Sequence, residues 1–291
     1  MNRRLVILAG GVSSRMKQST KSGLDEHLSK DANSKAKAMI GLGDGNRPFL
    51  DYLLMNAQLA GYRDVVIVVN DQDSDIREYY TKENRRREFP DLFLTFALQV
   101  IPEGRTKPLG TADALLCALK KRPDWRDYCF TVCNSDNLYS VRALSLLAGA
   151  GSWNALVDYD RSALDFPPSR IAAFAVLQKD RKGSLLNIVE KPTEAQINAA
   201  CDGNGRVGVS MNLFRFSFRD IFPCLESVPL NRIRQEKELP SAVKLLIDRN
   251  PGAVKTIPVS EHLPDLTSKD DLPVVKQHLE REFVRFMAVG P

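Results

Sequence analysis

No stretch of the 291-residue chain approaches the ~18 consecutive apolar residues that a membrane-spanning helix requires, so no membrane partner is expected. The apolar run inside "MNRRLVILAGG" follows basic residues, but it is too short for a secretory leader and ends in glycines. The five cysteines, Cys117, Cys129, Cys133, Cys201 and Cys224, fall in no paired metal-ligand spacing. Three of them lie in apolar stretches, which implies buried thiols and a reducing, cytoplasmic setting. There is no internal repeat, and no hexapeptide pattern of a left-handed β-helix, so an appended acyltransferase domain is not expected. The opening turn has no G-x-G-x-x-G, which argues against a dinucleotide-binding dehydrogenase. "NSDN" holds only half of the D-x-D motif of a metal-dependent glycosyltransferase. Nor does one charge dominate: 41 basic and 36 acidic residues leave +5, suited to small anionic substrates and too diffuse for nucleic acid. The densest basic run, "ENRRRE", is flanked by glutamates and reads as a solvated helix end.

What is present is ordinary for a globular protein, with 43% hydrophobic and 26% charged residues and length enough for one sizeable core. Leu5 to Leu8 have the branched, apolar character of a buried strand. Gly10 and Gly11 follow and let the backbone turn tightly or lie against a ligand. Ser13, Ser14 and Arg15 add donors, and a turn rich in N–H groups beside a guanidinium suits phosphate oxygens. Residues 17–36 are polar, lysine-rich and without periodicity, as in a functional loop or lid. A helix is expected from Pro48 to Gly61, strands at 65–69 and 92–101, a helix after Gly110, and a strand at "YCFTVC". This alternation implies a largely parallel sheet covered on both faces. "RIAAFAVL", "LLNIVE" and "VGVSMNLFRF" read as closely spaced strands and so suggest a mixed sheet with a second half-site. A helix near 239–249, a strand at "AVKTIPV" and an amphipathic helix from Pro273 to Met287 close the chain. The last carries Val274, Val275, Leu279, Phe283 and Phe286 mainly on one face, for core packing. Ligands in open α/β sheets sit beyond the carboxyl ends of the strands. Four polar clusters fall at such places: Gly10 to Arg15, "PLGTADAL" with Gly110 and Thr111 before a helix N-terminus, "CNSDN" with Asp136, and "VEKP" with Glu190 and Lys191.

Taken in order, these segments resemble the sugar-phosphate nucleotidylyltransferases, the family of nucleotide-sugar pyrophosphorylases. "LAGGVSSRM" resembles LAGGxGTRL, "KAMI" and "GNRPFLDYLL" its K-P-M-[LI] and G-[KR]-P-x-L-x-Y segments, and "PLGTADAL" its G-T-A-x-A helix start. "CNSDNLY", "VEKP" and "PDLTSKDDL" match its metal, E-K-P and late aspartate segments, so the likeness covers roughly residues 1–275. The resemblance implies a three-layer, Rossmann-like nucleotide-diphospho-sugar transferase fold with a mixed, mostly parallel central sheet. It implies a core over 1–235, with a nucleotide half at 1–140 and a sugar-phosphate half at 141–235. Residues 236–291 would pack a strand and helices on that core within the same domain. The reaction implied is attack of a sugar 1-phosphate oxygen on the α-phosphorus of an NTP, with pyrophosphate leaving and Mg²⁺ assisting. By resemblance, Leu8, Ala9, Gly10, Gly11, Gly110 and Thr111 would line the nucleotide site, and Gln99 would read the base. Arg15 would grip the β- and γ-phosphates, and Lys37 the α-phosphate. Asp136 and Asp265 would hold Mg²⁺, Glu190 would accept from sugar hydroxyls, Lys191 would neutralise the sugar's phosphate, and Asn212 would contact the sugar.

The sequence departs from the pattern in several places. Ser13 stands where glycine is common and should stiffen the loop without removing its N–H donors. Ala38 replaces a proline, the polar insertion at 17–36 lengthens the spacing from Arg15 to Lys37, and Ser135 precedes Asp136 where glycine is usual. Asp265 lacks the tryptophan of its segment and has Asp270 and Asp271 nearby, either of which could serve instead. These departures suggest an outlying branch with an unusual acceptor. A non-catalytic nucleotide-sugar sensor and a cytidylyltransferase acting on a small phosphoester such as phosphocholine stay open as alternatives, as does association into a homo-oligomer.

Overall fold

The computed structural model describes residues 3–18, 23–151 and 153–283. In the first half, β1 (Arg3–Leu8) leads through α1 (Ser14–Gln18), α2 (Glu26–Ser34) and α3 (Phe49–Leu59) to β2 (Tyr62–Asn70). Then come α4 (Asp75–Thr81), α5 (Glu83–Glu88), β3 (Phe93–Gln99), α6 (Thr111–Lys121), β4 (Cys129–Asn134) and α7 (Val141–Ala148). The second half runs β5 (Asn154–Asp160), α8 (Pro168–Ala172), β6 (Val176–Lys179), β7 (Leu185–Val189), α9 (Glu194–Ala199) and β8 (Gly208–Ser217). It ends with α10 (Phe218–Ser227), α11 (Leu239–Arg249), β9 (Val254–Val259) and α12 (Asp271–Glu282).

The strands form one sheet in the order β3-β2-β1-β4-β8-β5-β9, and the β6–β7 hairpin hangs on β8. β8 runs antiparallel to both β4 and β5, while β3, β2, β1 and β4 pair in parallel, as do β5 and β9. Six of the seven strands on this path therefore share a direction, and the sheet is mixed but mostly parallel. Sequence alternation explains why it is buried on both sides. Leu5, Ile7, Val65, Ile67 and Val69 enter one core with α3, α7 and α12. Val6, Leu8, Val66 and Val68 enter the other, with α6, α10 and α11. Each such buried side chain contributes about 1.5–3 kcal/mol of transfer free energy. Among the described residues no helix is long and apolar enough to cross a membrane.

Four expectations need correction. "RIAAFAVL" is not one strand: its first residues complete helix α8 behind Pro167 and Pro168, and only Val176 onward pairs. Proline presets helical φ at the first helical position, and that outweighs the apolar run that follows. The polar stretch 17–36 contains a helix, α2, started by Asp25 accepting from Leu28 N at 2.8 Å. The final helix starts two residues before Pro273, and its expected end, with Phe286, lies outside the described residues. Of the five thiols only Cys133 and Cys224 are buried; Cys117 and Cys129 are half-buried, and Cys201 is exposed. The "ENRRRE" run forms α5, where Arg87–Glu83 and Arg85–Glu88 pair along the helix.

Candidate active site

β1 is central: it pairs with β2 on one side and β4 on the other, so successive connections leave it in opposite directions. A crevice opens at such a switch point, beyond the carboxyl ends of the strands. The ladder is carried to its edge by Ala9 N donating to Val68 O at 2.8 Å and Ser135 N donating to Leu8 O at 3.1 Å. Leu8 to Arg15 and Ser135–Asp136 are thereby delivered to one place from residues over a hundred positions apart.

Two hollows meet there. The first, of about 400 Å³, is lined by Leu8 to Arg15, Ala36 to Ala38, Gln99, Gly110, Thr111 and Asp136, with others. The second, of about 570 Å³, is lined by Glu190, Lys191, Asn212, Asp265, Arg170 and Arg234, with others. Arg15, Thr111, Asn134, Asp136 and Glu236 belong to both. Every residue given a role by the resemblance therefore lines one hollow or the other, whereas the alternatives Asp270 and Asp271 line neither.

Gly10 shows why the first wall excludes a side chain: a Cβ there would lie 3.0 Å from Gln99 Oε1 and 3.4 Å from Asn70 N. Ser13 adopts the left-handed conformation (φ 58°), which glycine takes without strain. Its Oγ accepts from Lys37 N at 3.2 Å, so the serine ties the phosphate-type loop to the segment that carries Lys37. Arg15 sits exposed in the first turn of α1. The Lys37 side chain, only 11% exposed, reaches across the crevice, and its Nζ lies 3.0 Å from Asp136 Oδ2.

Gln99 is buried, and its Nε2 donates to Gly110 O at 2.9 Å and to Asp113 Oδ2 at 2.8 Å. Two acceptors fix the amide with Oε1 toward Gly10, so the group offered to a ligand is an acceptor. Gly110 (φ 109°) packs so closely that a Cβ would stand 2.6 Å from Lys237 O. Thr111 accepts from Leu239 N at 2.9 Å, and Ala112 N donates to Lys237 O at 2.9 Å. The α6 N-terminus is thus partly satisfied by the 231–238 segment, and the Thr111 hydroxyl is engaged in holding α11.

Asp136 and Asp265 come together although 129 positions separate them, because Asn137 and Asp265 form an isolated antiparallel bridge and Leu266 N donates to Asp136 O at 2.8 Å. Burial, and then the facing Asp136 carboxylate, push the Asp265 carboxyl up, against the pull of Arg170 and Lys37. Arg170 of α8 bridges Asp265, Asp271 (2.5 Å) and Thr267 Oγ1 (2.9 Å). Asp271 is spent on the N–H groups of Thr267 and Ser268, and Asp265 is the carboxylate brought to Asp136. Glu190 and Lys191 are exposed at the rim. Glu190 pairs with Arg234 at 3.3 Å, and Arg234 with Glu238 at 2.5 Å. Asn212 takes a left-handed φ of 57° inside β8, where the register with β5 shifts, and this turns it toward the second hollow.

Arg170, Arg234 and Asp113 were not visible as site residues in the sequence. Arg170 was hidden by the misassigned strand, and Arg234 had only its spacing of four from Glu238 as a signal.

A family model described as nucleotidyl transferase matches residues 4–216, well over half of the chain. No curated protein matches significantly. Among solved structures, a UDP-glucose pyrophosphorylase complexed with UDP-glucose superposes with a TM-score of 0.68 at 16% identity, over 97% of this chain and 100% of that one. At that identity the likeness concerns the fold.

Proposed function

The chain belongs to the nucleotidyl transferase family, and we propose that it transfers a nucleoside monophosphate from an NTP to a sugar 1-phosphate, releasing pyrophosphate and forming an NDP-sugar. The observation that supports this reading best is the meeting of two hollows of about 400 and 570 Å³ on Arg15 and Asp136, with the Lys37 ammonium of the first hollow 3.0 Å from the Asp136 carboxylate. A transfer between two bound substrates needs adjoining compartments and positive charge where they touch.

In this reading the triphosphate lies in the first hollow along the Gly10–Gly11 backbone. Arg15 carries the β- and γ-phosphates and later the departing pyrophosphate. Lys37 moves from Asp136 toward the α-phosphate, where charge accumulates as the acceptor oxygen attacks in line. The Gln99 carbonyl oxygen accepts from a ring N–H, which favours bases that carry one there (uracil, thymine, guanine) over cytosine. Lys191 neutralises the acceptor phosphate, while Glu190 and Asn212 take the sugar hydroxyls.

Asp136 and Asp265 are two facing carboxylates, and burial and then the Asp136 charge raise the Asp265 carboxyl; such a donor set suits Mg²⁺ together with substrate oxygens. They are the residues that would hold it, and when bound it would neutralise phosphate charge.

The test is pyrophosphate release from UTP, dTTP, CTP and GTP crossed with several sugar 1-phosphates, with and without Mg²⁺. The solved neighbour's ligand makes UTP with glucose 1-phosphate the first pair. One triphosphate is expected to be strongly favoured. Asp136→Asn is expected to lower turnover by about 10³-fold with an unchanged circular dichroism spectrum. Nucleotide-sugar binding without turnover in any combination would instead identify a sensor.

A further inference from the structure

At the far end of the sheet, where β1 and β4 begin and β8 ends, lies another hollow of about 380 Å³. Arg3, Arg4, Tyr128, Trp153 and Arg215 are among its lining residues, and none of its residues lines either hollow of the candidate active site. The six residues of β1 separate the two places by about 20 Å at strand rise.

Arg3 and Arg215 bring two guanidiniums to one small hollow, where they repel one another unless an anion joins them. The one acidic lining residue, Asp127, is engaged by Arg219 at 2.8 Å. Among the described residues neither Arg3 nor Arg215 has a carboxylate within ion-pair distance. Each does cap a helix C-terminus: Arg3 donates to Ala60 O after α3, and Arg215 to Ala148 O of α7 at 3.0 Å. A cap of that kind uses one of the five N–H groups of a guanidinium. Arg215 Nε is buried with no hydrogen-bond partner. The Arg4 guanidinium lies flat over the Tyr128 ring, 3.6 Å from its centroid, which fixes the orientation of that cation. At the rim, Trp153 stands 63% exposed, whereas Trp125, the other tryptophan, is buried. An exposed indole beside Arg3 and Arg215, neither of which pairs with a carboxylate among the described residues, matches a ligand with an anionic group at one end and a flat ring at the other.

We propose that this hollow is a second ligand site, for a phosphate ester bearing a planar ring and of the size of a nucleoside monophosphate. The phosphate lies between Arg3 and Arg215, and the ring stacks on Trp153. Calorimetric titration of the full chain with AMP tests it, with adenosine and ribose 5-phosphate as separate arms and Trp153 emission as a second readout. AMP is expected to bind saturably and quench that emission, with both partial ligands at least about tenfold weaker. Arg215→Gln and Arg3→Gln are expected to weaken AMP binding at least about tenfold with wild-type turnover, and Arg15→Gln to leave it unchanged. Should loss of its cap unfold Arg215→Gln, Arg3→Gln and Trp153→Leu decide the matter. Absence of saturable binding at millimolar AMP overturns the proposal. So does binding lost in Arg15→Gln but kept in Arg3→Gln, which would place AMP in the first cleft.

Discussion

The two hollows of the candidate active site are built from different materials. The first is walled by backbone and small residues, namely Ala9, Gly10 and Gly11 after β1, Ala36 and Ala38 after α2, and Gly110 before α6. The second is walled by charged side chains that hold one another: Arg170 with Asp265 and Asp271, and Arg234 with Glu190 and Glu238. Backbone walls exist as soon as the sheet forms and need little rearrangement when a ligand enters. Ion-paired walls must exchange partners with the acceptor, so their free energy enters its binding directly. On the proposed function, the difference assigns rigidity to the nucleotide side and discrimination between acceptors to the charged side.

The contrast breaks most visibly at Arg170. Its side chain is largely buried, and it is the shared cation of two carboxylates. Removing one partner of a buried pair leaves uncompensated charge, at a cost of about 4 kcal/mol. Arg170→Ala is therefore expected to lower stability in urea denaturation by about that amount, with Arg170→Lys recovering part of it. A change below about 1 kcal/mol would mean that the second wall is as solvated as a surface, and the contrast would fail.

The same difference in material decides what could be seen in the sequence. Gly10, Gly11 and Arg15 lie within six consecutive positions because a strand end followed by a turn is a local structure. Asp136 was legible for the same reason, as the second residue past a strand that reads clearly as apolar. The acceptor side is assembled from long-range meetings. Arg170 meets Asp265 across 95 positions, and Glu190 meets Arg234 across 44. No local pattern encodes such pairs. The apolar residues of "RIAAFAVL" carry no period that separates helix from strand, so α8 reads as strand, and the few apolar residues of α2 leave little stripe to see. Ser13 was legible as an exception, but not its remedy, the hydrogen bond to Lys37 N, which depends on a segment 24 positions away.

A buried carboxylate in each half of the chain sharpens the comparison further. In the second half of the chain, Asp158 of β5 is held by Lys179 at 2.6 Å and Arg206 at 2.9 Å. In the first half, Asp51 of α3 has the Tyr80 hydroxyl at 2.7 Å and, as its ion-pair partner among the described residues, Arg47 alone at 3.2 Å. Burial outweighs both and pushes its carboxyl up from 3.8 to about 6. An acid raised in the folded state stabilises the fold while protonated. That contribution is complete below the unfolded value of 3.8 and is lost as pH rises through about 6. Asp51→Asn keeps an acceptor for Tyr80 and cannot ionise. Relative to this variant, the wild type is expected to lose about 3 kcal/mol between pH 4 and pH 7, read from denaturation midpoints at each pH. A difference that does not vary with pH would mean that Arg47 already balances the charge.

The smallest effect is expected at Arg234, and it is the most specific. This side chain is 40% exposed and paired with Glu190 and Glu238. Exposed pairs contribute at most about 1 kcal/mol, so Arg234→Ala should leave stability nearly unchanged. On the proposed function it also releases Glu190, which in the wild type must leave Arg234 before it can accept from a sugar hydroxyl. The KM of the acceptor is therefore expected to fall about two- to threefold, with kcat and the KM of the NTP unaltered. A KM that rises tenfold would show Arg234 gripping the acceptor phosphate itself. The second wall would then owe its selectivity to a direct contact and not to exchange between ion pairs.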